Sequence, residues 1–257
     1  MELRLDGKTA IVTGGSRGIG LGIAKSFHDA GANVMLTSRK AEGLEAAIAE
    51  LGGGERLHMS PSHVGNPEDA ERIVDETIAH FGACDILVNN AATNPHAGPM
   101  IDCELGKLDK TWEVNLRGPF AWTQAAWTKW MSEHGGSVIN ISSVGGFSTS
   151  AALGVYCTLK SALIHMTKQL AAEMGPNVRV NCIAPGLIRT DFARVLWEGE
   201  RGVQLANQNP LKRLGEPSDI GDTALWLAAG APWVTGETIR VDGGELISVE
   251  NELELAD

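Results

Sequence analysis

Apolar residues follow two alternating rhythms along this chain: short continuous runs, then stretches in which they return every three or four positions. The first run, Thr9–Thr13, ends at Gly14 and Gly15, after which Ile19, Ile23, Ala24 and Phe27 recur at helical spacing until Gly31. Further strands are predicted at Asn33–Thr37, 56–60, 85–89, 137–141, 178–183 and Thr238–Val241. Helices are predicted over 41–51, from Pro67 behind the cap Asn66, over roughly 107–131 and over 155–174. The helix after Pro67 gathers Ala70, Ile73, Val74, Ile78 and Phe81 on one face. Strands that are apolar throughout, alternating with helices, imply a parallel sheet covered on both faces. An eight-unit barrel has a similar length, but 189–215 holds no clear strand. The expected fold is therefore a single α/β domain over 1–257, an open, doubly wound parallel sheet of about seven strands.

Composition narrows the class. With 257 residues, 43% hydrophobic and 21% charged, the chain is neither disordered nor a coiled coil. The net charge is −11, with acids concentrated after Arg240, which speaks against a nucleic-acid partner. Cys84, Cys103, Cys157 and Cys182 are too widely spaced for a zinc site or a disulfide framework, so no metal is expected and the thiols read as reduced and cytoplasmic. The first eight residues are charged, and no apolar run approaches spanning length, so neither secretion nor membrane insertion is expected. Glycine is abundant at 31 residues, so its placement becomes the question.

The informative cluster is Thr13-Gly14-Gly15-Ser16-Arg17-Gly18-Ile19-Gly20, between the first strand and the first helix. Backbone N–H groups and the positive helix end there suit a pyrophosphate, making the sheet Rossmann-type, although the spacing G-x3-G-x-G differs from the usual fingerprint. A glycine turn that merely joins two elements is the alternative. An NAD ribose calls for an acid at the end of the second strand, but Thr37-Ser38-Arg39-Lys40 stands there. Ser38 and Arg39, with Arg17 opposite, suit a 2′-phosphate, so NADP(H) is favoured over NAD(H); simple solvated charges are the alternative.

Tyr156 is the only tyrosine. Lys160, four residues on, lies about 40° away around a helix, and a neighbouring ammonium favours the phenolate, so the pair could pass a proton. Ser143, just past the fifth strand, would reach the carboxyl edge of the sheet, where ligands of open α/β folds bind. Alone, Tyr-x-x-x-Lys could equally be a surface pair.

Together with Asn89-Asn90-Ala91-Ala92, Asn115, Ser142-Ser143, Tyr156 to Lys160 and Pro185 to Thr190, the glycine turn resembles the short-chain dehydrogenase/reductase family over nearly the full length. The resemblance implies that Tyr156 exchanges a proton with the substrate oxygen and that Ser143 holds that oxygen. Lys160 would bind the nicotinamide ribose and lower the tyrosine pKa, and Asn115 would hold a water linking Lys160 to solvent. It further implies that Gly14, Ser16, Arg17, Gly18, Ile19 and Gly20 cradle phosphate and that Asn90 and Ala91 floor the adenosine ribose site. Pro185, Gly186, Ile188 and Thr190 would meet the nicotinamide amide and adjacent phosphate. Asn115 could instead bond a neighbouring backbone, and Thr190 with Asp191 could cap a helix. Two positions depart from the family pattern: Ala92 replaces a glycine, and His63 replaces the aspartate that meets the adenine amine, leaving Val64, main-chain groups or His63 itself to recognise adenine.

The branch most resembled is that of the NADPH-dependent carbonyl and retinal reductases. It implies hydride transfer to or from an apolar ketone, aldehyde or secondary alcohol. Reduction of 3-oxoacyl thioesters and a cofactor-binding regulatory scaffold are the alternatives. Phe192, Val195, Leu196 and Trp197 form either a lid over substrate or a segment docked on the core, with Asn94, Pro95, His96 and Phe147 as further walls. A homotetramer is expected, with Trp122, Trp127 and Trp130 as candidate contacts.

Overall fold

The computed structural model describes residues 2–247. The acidic stretch at 248–257 lies outside them. Seven strands, β1 Thr9–Thr13, β2 Asn33–Thr37, β3 Leu57–Met59, β4 Ile86–Asn89, β5 Gly136–Ile141, β6 Val178–Pro185 and β7 Thr238–Val241, form one sheet in the order β3-β2-β1-β4-β5-β6-β7. Every pairing is parallel. The order reverses between β1 and β4, which opens a crevice at the carboxyl ends of those strands, where open α/β sheets bind ligands.

Successive side chains of a strand point to opposite faces, so each strand feeds two cores. On one face Ala10 and Val12 of β1 meet Ile23 and Phe27 of helix α1 (Gly18–Asp29) and Ile220 of helix α10 (Pro217–Leu225). On the other, Ile11 meets Ile73 and Val74 of α3 (Pro67–Phe81) and Trp122 of α5 (Gly118–Ala126), while Leu170 of α7 (Gly154–Met174) extends this core under β5 and β6. Helix α2 (Ala41–Glu50) covers β2 and β3 through Leu44. Each such fully buried aliphatic side chain contributes about 1.5–3 kcal/mol.

Three expectations need correction. The single helix expected over 107–131 is α4 (Leu105–Trp112), a wider π-type turn Glu113–Arg117, α5, a second wide turn Trp127–Met131 and the short α6 (Ser132–His134). Pro119 explains the first interruption, because it has no N–H to return to the carbonyl of Asn115, four residues back. Strand β6 runs to Pro185, two residues further than expected, because Val241 of β7 pairs with it there. Trp122 is not surface material: it is wholly buried and donates from Nε1 to the Val64 carbonyl at 3.1 Å, while Trp127 and Trp130 pack against the same core. The exposed large side chains instead include Ile101, Leu105, Trp112 and Phe120 around α4 and α5, and Trp233, which is 98% exposed. Among the described residues no helix is long and apolar enough to cross a membrane, and no group of His, Cys, Asp and Glu could hold a metal.

Candidate active site

The glycine turn is built by close backbone contact. Gly14 and Gly18 have φ of 65° and 55°, a region that disfavours side chains. A Cβ at Gly20 would stand 2.3 Å from the Gly14 carbonyl, so no other residue lets α1 begin there. Helix α1 starts with no capping side chain and no acid in its first turn, leaving the N–H groups of Gly18, Ile19 and Gly20 for an anion. Ser16 packs over Gly43 at the start of α2. Ser38 directly follows β2, its carbonyl accepting from Ser62 N–H at 2.9 Å. Arg39 is exposed and makes no ion pair among the described residues, while Arg17 lies 3.9 Å from Asp191.

Asn90 and Ala91 brace this turn. Thr13 Oγ1 accepts from the N–H of Asn90 at 2.9 Å and of Ala91 at 3.1 Å, and donates to the Val88 carbonyl. Asn90 Nδ2 donates to the carbonyls of Thr13 at 2.8 Å and Gly14 at 3.3 Å. His63 is already occupied: Gly65 N–H donates to its Nδ1 at 3.2 Å, and Nε2 lies 2.9 Å from Lys110 Nζ. Its ring is therefore not poised to accept from an adenine amine. Val64 keeps its carbonyl on Trp122.

Ser143, Tyr156 and Lys160 converge beyond β5. Ser143 opens the turn Val144–Gly146 by accepting from Gly145 N–H at 3.1 Å. This turn lies flat on α7: a Cβ at Gly145 would be 2.9 Å from Cys157 Sγ, and one at Gly146 would be 3.1 Å from the Lys160 backbone. Lys160 Nζ stands 5.5 Å from the Tyr156 ring centre and donates to the Ile141 carbonyl at 2.7 Å, while Ser142 Oγ donates to the Lys160 carbonyl at 2.8 Å. Tyr156 keeps part of its ring at the surface with its phenol enclosed. Burial pushes that phenol up to about 12, opposed by a hydrogen bond with Ser143. Burial also pulls Lys160 down to about 8, opposed by the Cys182 thiol. Burial is thus the largest influence on both groups, and it moves them in opposite directions.

The Asn115 side chain bonds a backbone, the alternative left open by its place in the sequence. Its Oδ1 accepts from Thr93 N–H at 2.8 Å and its Nδ2 donates to the Thr93 carbonyl at 2.9 Å. The amide pins the loop after β4 to the wide turn. That loop continues past Asn94, Pro95 and His96 to Gly98, whose N–H donates to the Ala152 carbonyl at 2.9 Å, just before α7. Phe147 is 49% exposed nearby in sequence.

The segment after β6 closes the crevice. Gly186 N–H donates to Val241, Arg189 N–H to Gly215, and Gly215 N–H to Leu187. Ile188 is buried, and its N–H has no partner among the described residues. Thr190 brings this segment to the glycine turn: a Cβ at Gly18 would be 3.1 Å from Thr190 Cγ2. It also caps the turn Asp191–Ala193. Trp197 Nε1 donates to the Thr190 carbonyl at 2.9 Å, whereas Phe192 and Val195 are 54% and 82% exposed rather than docked on the core.

A family model described as Enoyl-(Acyl carrier protein) reductase matches residues 14–245. A human relative, Dehydrogenase/reductase SDR family member 4, is 40% identical over 244 residues, covering 93% of this chain and 88% of the relative. The chain belongs to the short-chain dehydrogenase/reductase family. Within the family its fold is similar to that of a 7α-hydroxysteroid dehydrogenase complexed with NADH and 7-oxo glycochenodeoxycholic acid, with a TM-score of 0.88, 32% identity and coverage of 95% of this chain and 96% of that one. It is also similar to a blue fluorescent protein from a metagenomic library in complex with NADPH, with a TM-score of 0.84, 34% identity and coverage of 94% and 99%. Family membership makes the chain an oxidoreductase that uses a nicotinamide cofactor and a small-molecule substrate. Sequence reading singled out neither Thr93 nor the tie from Trp197 to Thr190; Thr93 carried the one available signal, lying three residues after Asn90.

Proposed function

We propose that this protein is an NADP(H)-dependent oxidoreductase acting between an apolar ketone or aldehyde and its secondary or primary alcohol. The observation that carries the reading is the convergence of Ser143, Tyr156 and Lys160 beside the glycine turn at the carboxyl edge of one sheet. The uncapped start of α1, fitted by glycines whose side chains would collide, suits the pyrophosphate of such a cofactor. Arg17, Ser38 and Arg39 supply hydrogen bonds and charge for a 2′-phosphate, with no acid among them to repel it. Asn90 and Ala91 fix the ribose floor through Thr13, and the Ile188 N–H and Thr190 would meet the nicotinamide amide and adjacent phosphate. On the adenine side the ring of His63 is held by Gly65 and Lys110, its N–H by Asp69 and its carbonyl by Asn66, which leaves Val64 to meet the base.

The cofactor, when bound, supplies or accepts the hydride. Tyr156 gives the matching proton to the carbonyl oxygen, or takes it from the alcohol, while Ser143 Oγ holds that oxygen. Lys160 holds ribose hydroxyls, which would bring a cation close to the phenol and counter the effect of burial. Asn115 serves this site by fixing the Thr93 loop beside it. Residues 1–150 mainly bind cofactor, and 151–257 provide the catalytic helix and the cover over substrate. The exposed Trp112, Phe120 and Trp233 fit a homotetramer, and the spaced free thiols fit a cytoplasmic protein.

A second reading, reduction of 3-oxoacyl thioesters, shares the acyl-thioester class of substrate with the description of the matched family model, although an enoyl reductase acts on a C=C bond rather than a carbonyl. A screen of apolar carbonyls, alcohols and 3-oxoacyl thioesters with NADPH and NADH separates the two. In the wild type, turnover with apolar carbonyls is expected; in Tyr156→Phe, turnover falls by at least about 100-fold with cofactor binding kept. Turnover only with thioesters would favour the second reading, and cofactor binding without any turnover would favour a regulatory scaffold.

A further inference from the structure

Between Pro185 and Arg189 the backbone is held at every N–H but one. Gly186 donates to the Val241 carbonyl at 3.0 Å and Arg189 to the Gly215 carbonyl at 2.9 Å. The N–H of Leu187 meets no backbone acceptor; it donates to Oε2 of Glu245 at 3.0 Å. Only Ile188 N–H is left for a ligand. We infer that Glu245 is a positioning residue for cofactor binding, its carboxylate holding the Leu187 peptide so that the next N–H, that of Ile188, is aimed at the nicotinamide amide. The inference rests on the function proposed above.

Three features show that the approach of this carboxylate is built into the fold. The turn carrying it is organised by Asp242, whose Oδ1 accepts from Gly244 N–H at 3.0 Å and whose Oδ2 accepts from Leu246 N–H at 3.3 Å. The facing residue is Gly186, where a Cβ would stand 2.6 Å from Glu245 Oε2 and 2.8 Å from Asp242 Cα, so any larger residue would push the carboxylate off. The turn is also fixed from outside, since Leu211 N–H donates to the Gly243 carbonyl and a Cβ at Gly244 would strike Pro210 at 2.6 Å.

The chemistry suits positioning rather than surface solvation. Burial and the neighbouring Asp242 carboxylate push the Glu245 carboxyl up, and the Leu187 N–H opposes them. Arg213, across a cavity of about 150 Å³ lined by Leu187, Asp242 and Asp219, is engaged bidentately with Asp219 at 2.6 and 2.7 Å. A hydrogen bond to a charged acceptor is about twice as strong as a neutral one, and loss of Glu245 would leave the Leu187 peptide free to rotate away. Rotation of that peptide also turns the Ile188 plane, because the two share the soft dihedrals of Leu187.

Three variants test this: Glu245→Leu removes the acceptor, Glu245→Asp keeps the charge but falls one methylene short, and Glu245→Gln keeps an acceptor oxygen at the same reach. NADPH titration by nicotinamide fluorescence, with steady-state kinetics and thermal melting, should show KM and Kd for NADPH raised about tenfold in the Leu and Asp variants. The kcat at saturating cofactor should stay within about twofold, and Glu245→Gln should return Kd to within about threefold of wild type. If Glu245→Leu does not fold, the Asp and Gln pair decides by itself. Wild-type affinity in the Asp variant would overturn the inference, as would a Gln variant as weak as the Asp one. Failure of the wild type to bind either nicotinamide cofactor would instead overturn the functional reading, and this inference with it.

Discussion

Replacing Lys160 by Met should change how stability depends on pH. Lys160 is 2% exposed, and burial lowers its pKa from 10.5 to about 8 in the folded protein. At 1.36 kcal/mol per pH unit this displacement costs the fold about 3 kcal/mol whenever the pH is below 8. The sign follows from proton counting. Between pH 8 and 10.5 the unfolded chain holds the lysine proton and the folded chain has lost it, so Lys160 contributes a stability that rises with pH across that window, against the opposite slopes of Cys84, Cys182 and Tyr156, whose pKa values burial raises in both wild type and variant. Glu and Asp, already ionised there, add no slope. Methionine fills a similar volume with no charge, so the variant lacks this slope. It also loses the bond from Nζ to the Ile141 carbonyl, 2.7 Å long and buried, at a cost of about 1–3 kcal/mol. The variant should therefore equal or exceed the wild type by up to about 2 kcal/mol at pH 7, and equal it or fall below it by up to about 2 kcal/mol at pH 10. Urea unfolding of both proteins without cofactor at pH 7, 8, 9 and 10 measures this directly. Parallel profiles over that range, differing by a constant, would show that Lys160 is not held in a desolvated, depressed state.

Arg39→Ala should weaken NADPH binding by about ten- to a hundredfold and leave NADH nearly unchanged, because one charge-assisted bond to the 2′-phosphate is lost; isothermal titration with both reduced cofactors checks it, and equal losses would exclude Arg39 from reading that phosphate. Light scattering at micromolar concentration should return about four times the 27.2 kDa chain mass. A Trp112→Glu, Phe120→Glu double variant should shift that mass downward, since both side chains are 44% exposed and add charge to an apolar face.

The parallel sheet was legible because its causes are local: uninterrupted apolar runs such as Ala10 to Val12 and Ile86 to Val88 can only be satisfied where both faces are covered. The glycine turn was legible for the same reason, since Gly14 and Gly18 answer to a positive φ and Gly20 to the Gly14 carbonyl, all within one turn and the start of one helix. Tyr156 and Lys160 share a helix, so their spacing alone put them on one face. What the chain order could not carry is contact between segments far apart. The hold of Asn115 on Thr93, the closure of His63 by Lys110, the burial of Trp122 under Val64 and the reach of Glu245 to Leu187 each join residues 22 to 58 positions apart. Ionisation belongs to this second class. The sequence places a cation near a phenol, but desolvation depends on everything packed around the pair, and only the tertiary structure shows burial to be the largest influence on both, raising the phenol and lowering the ammonium.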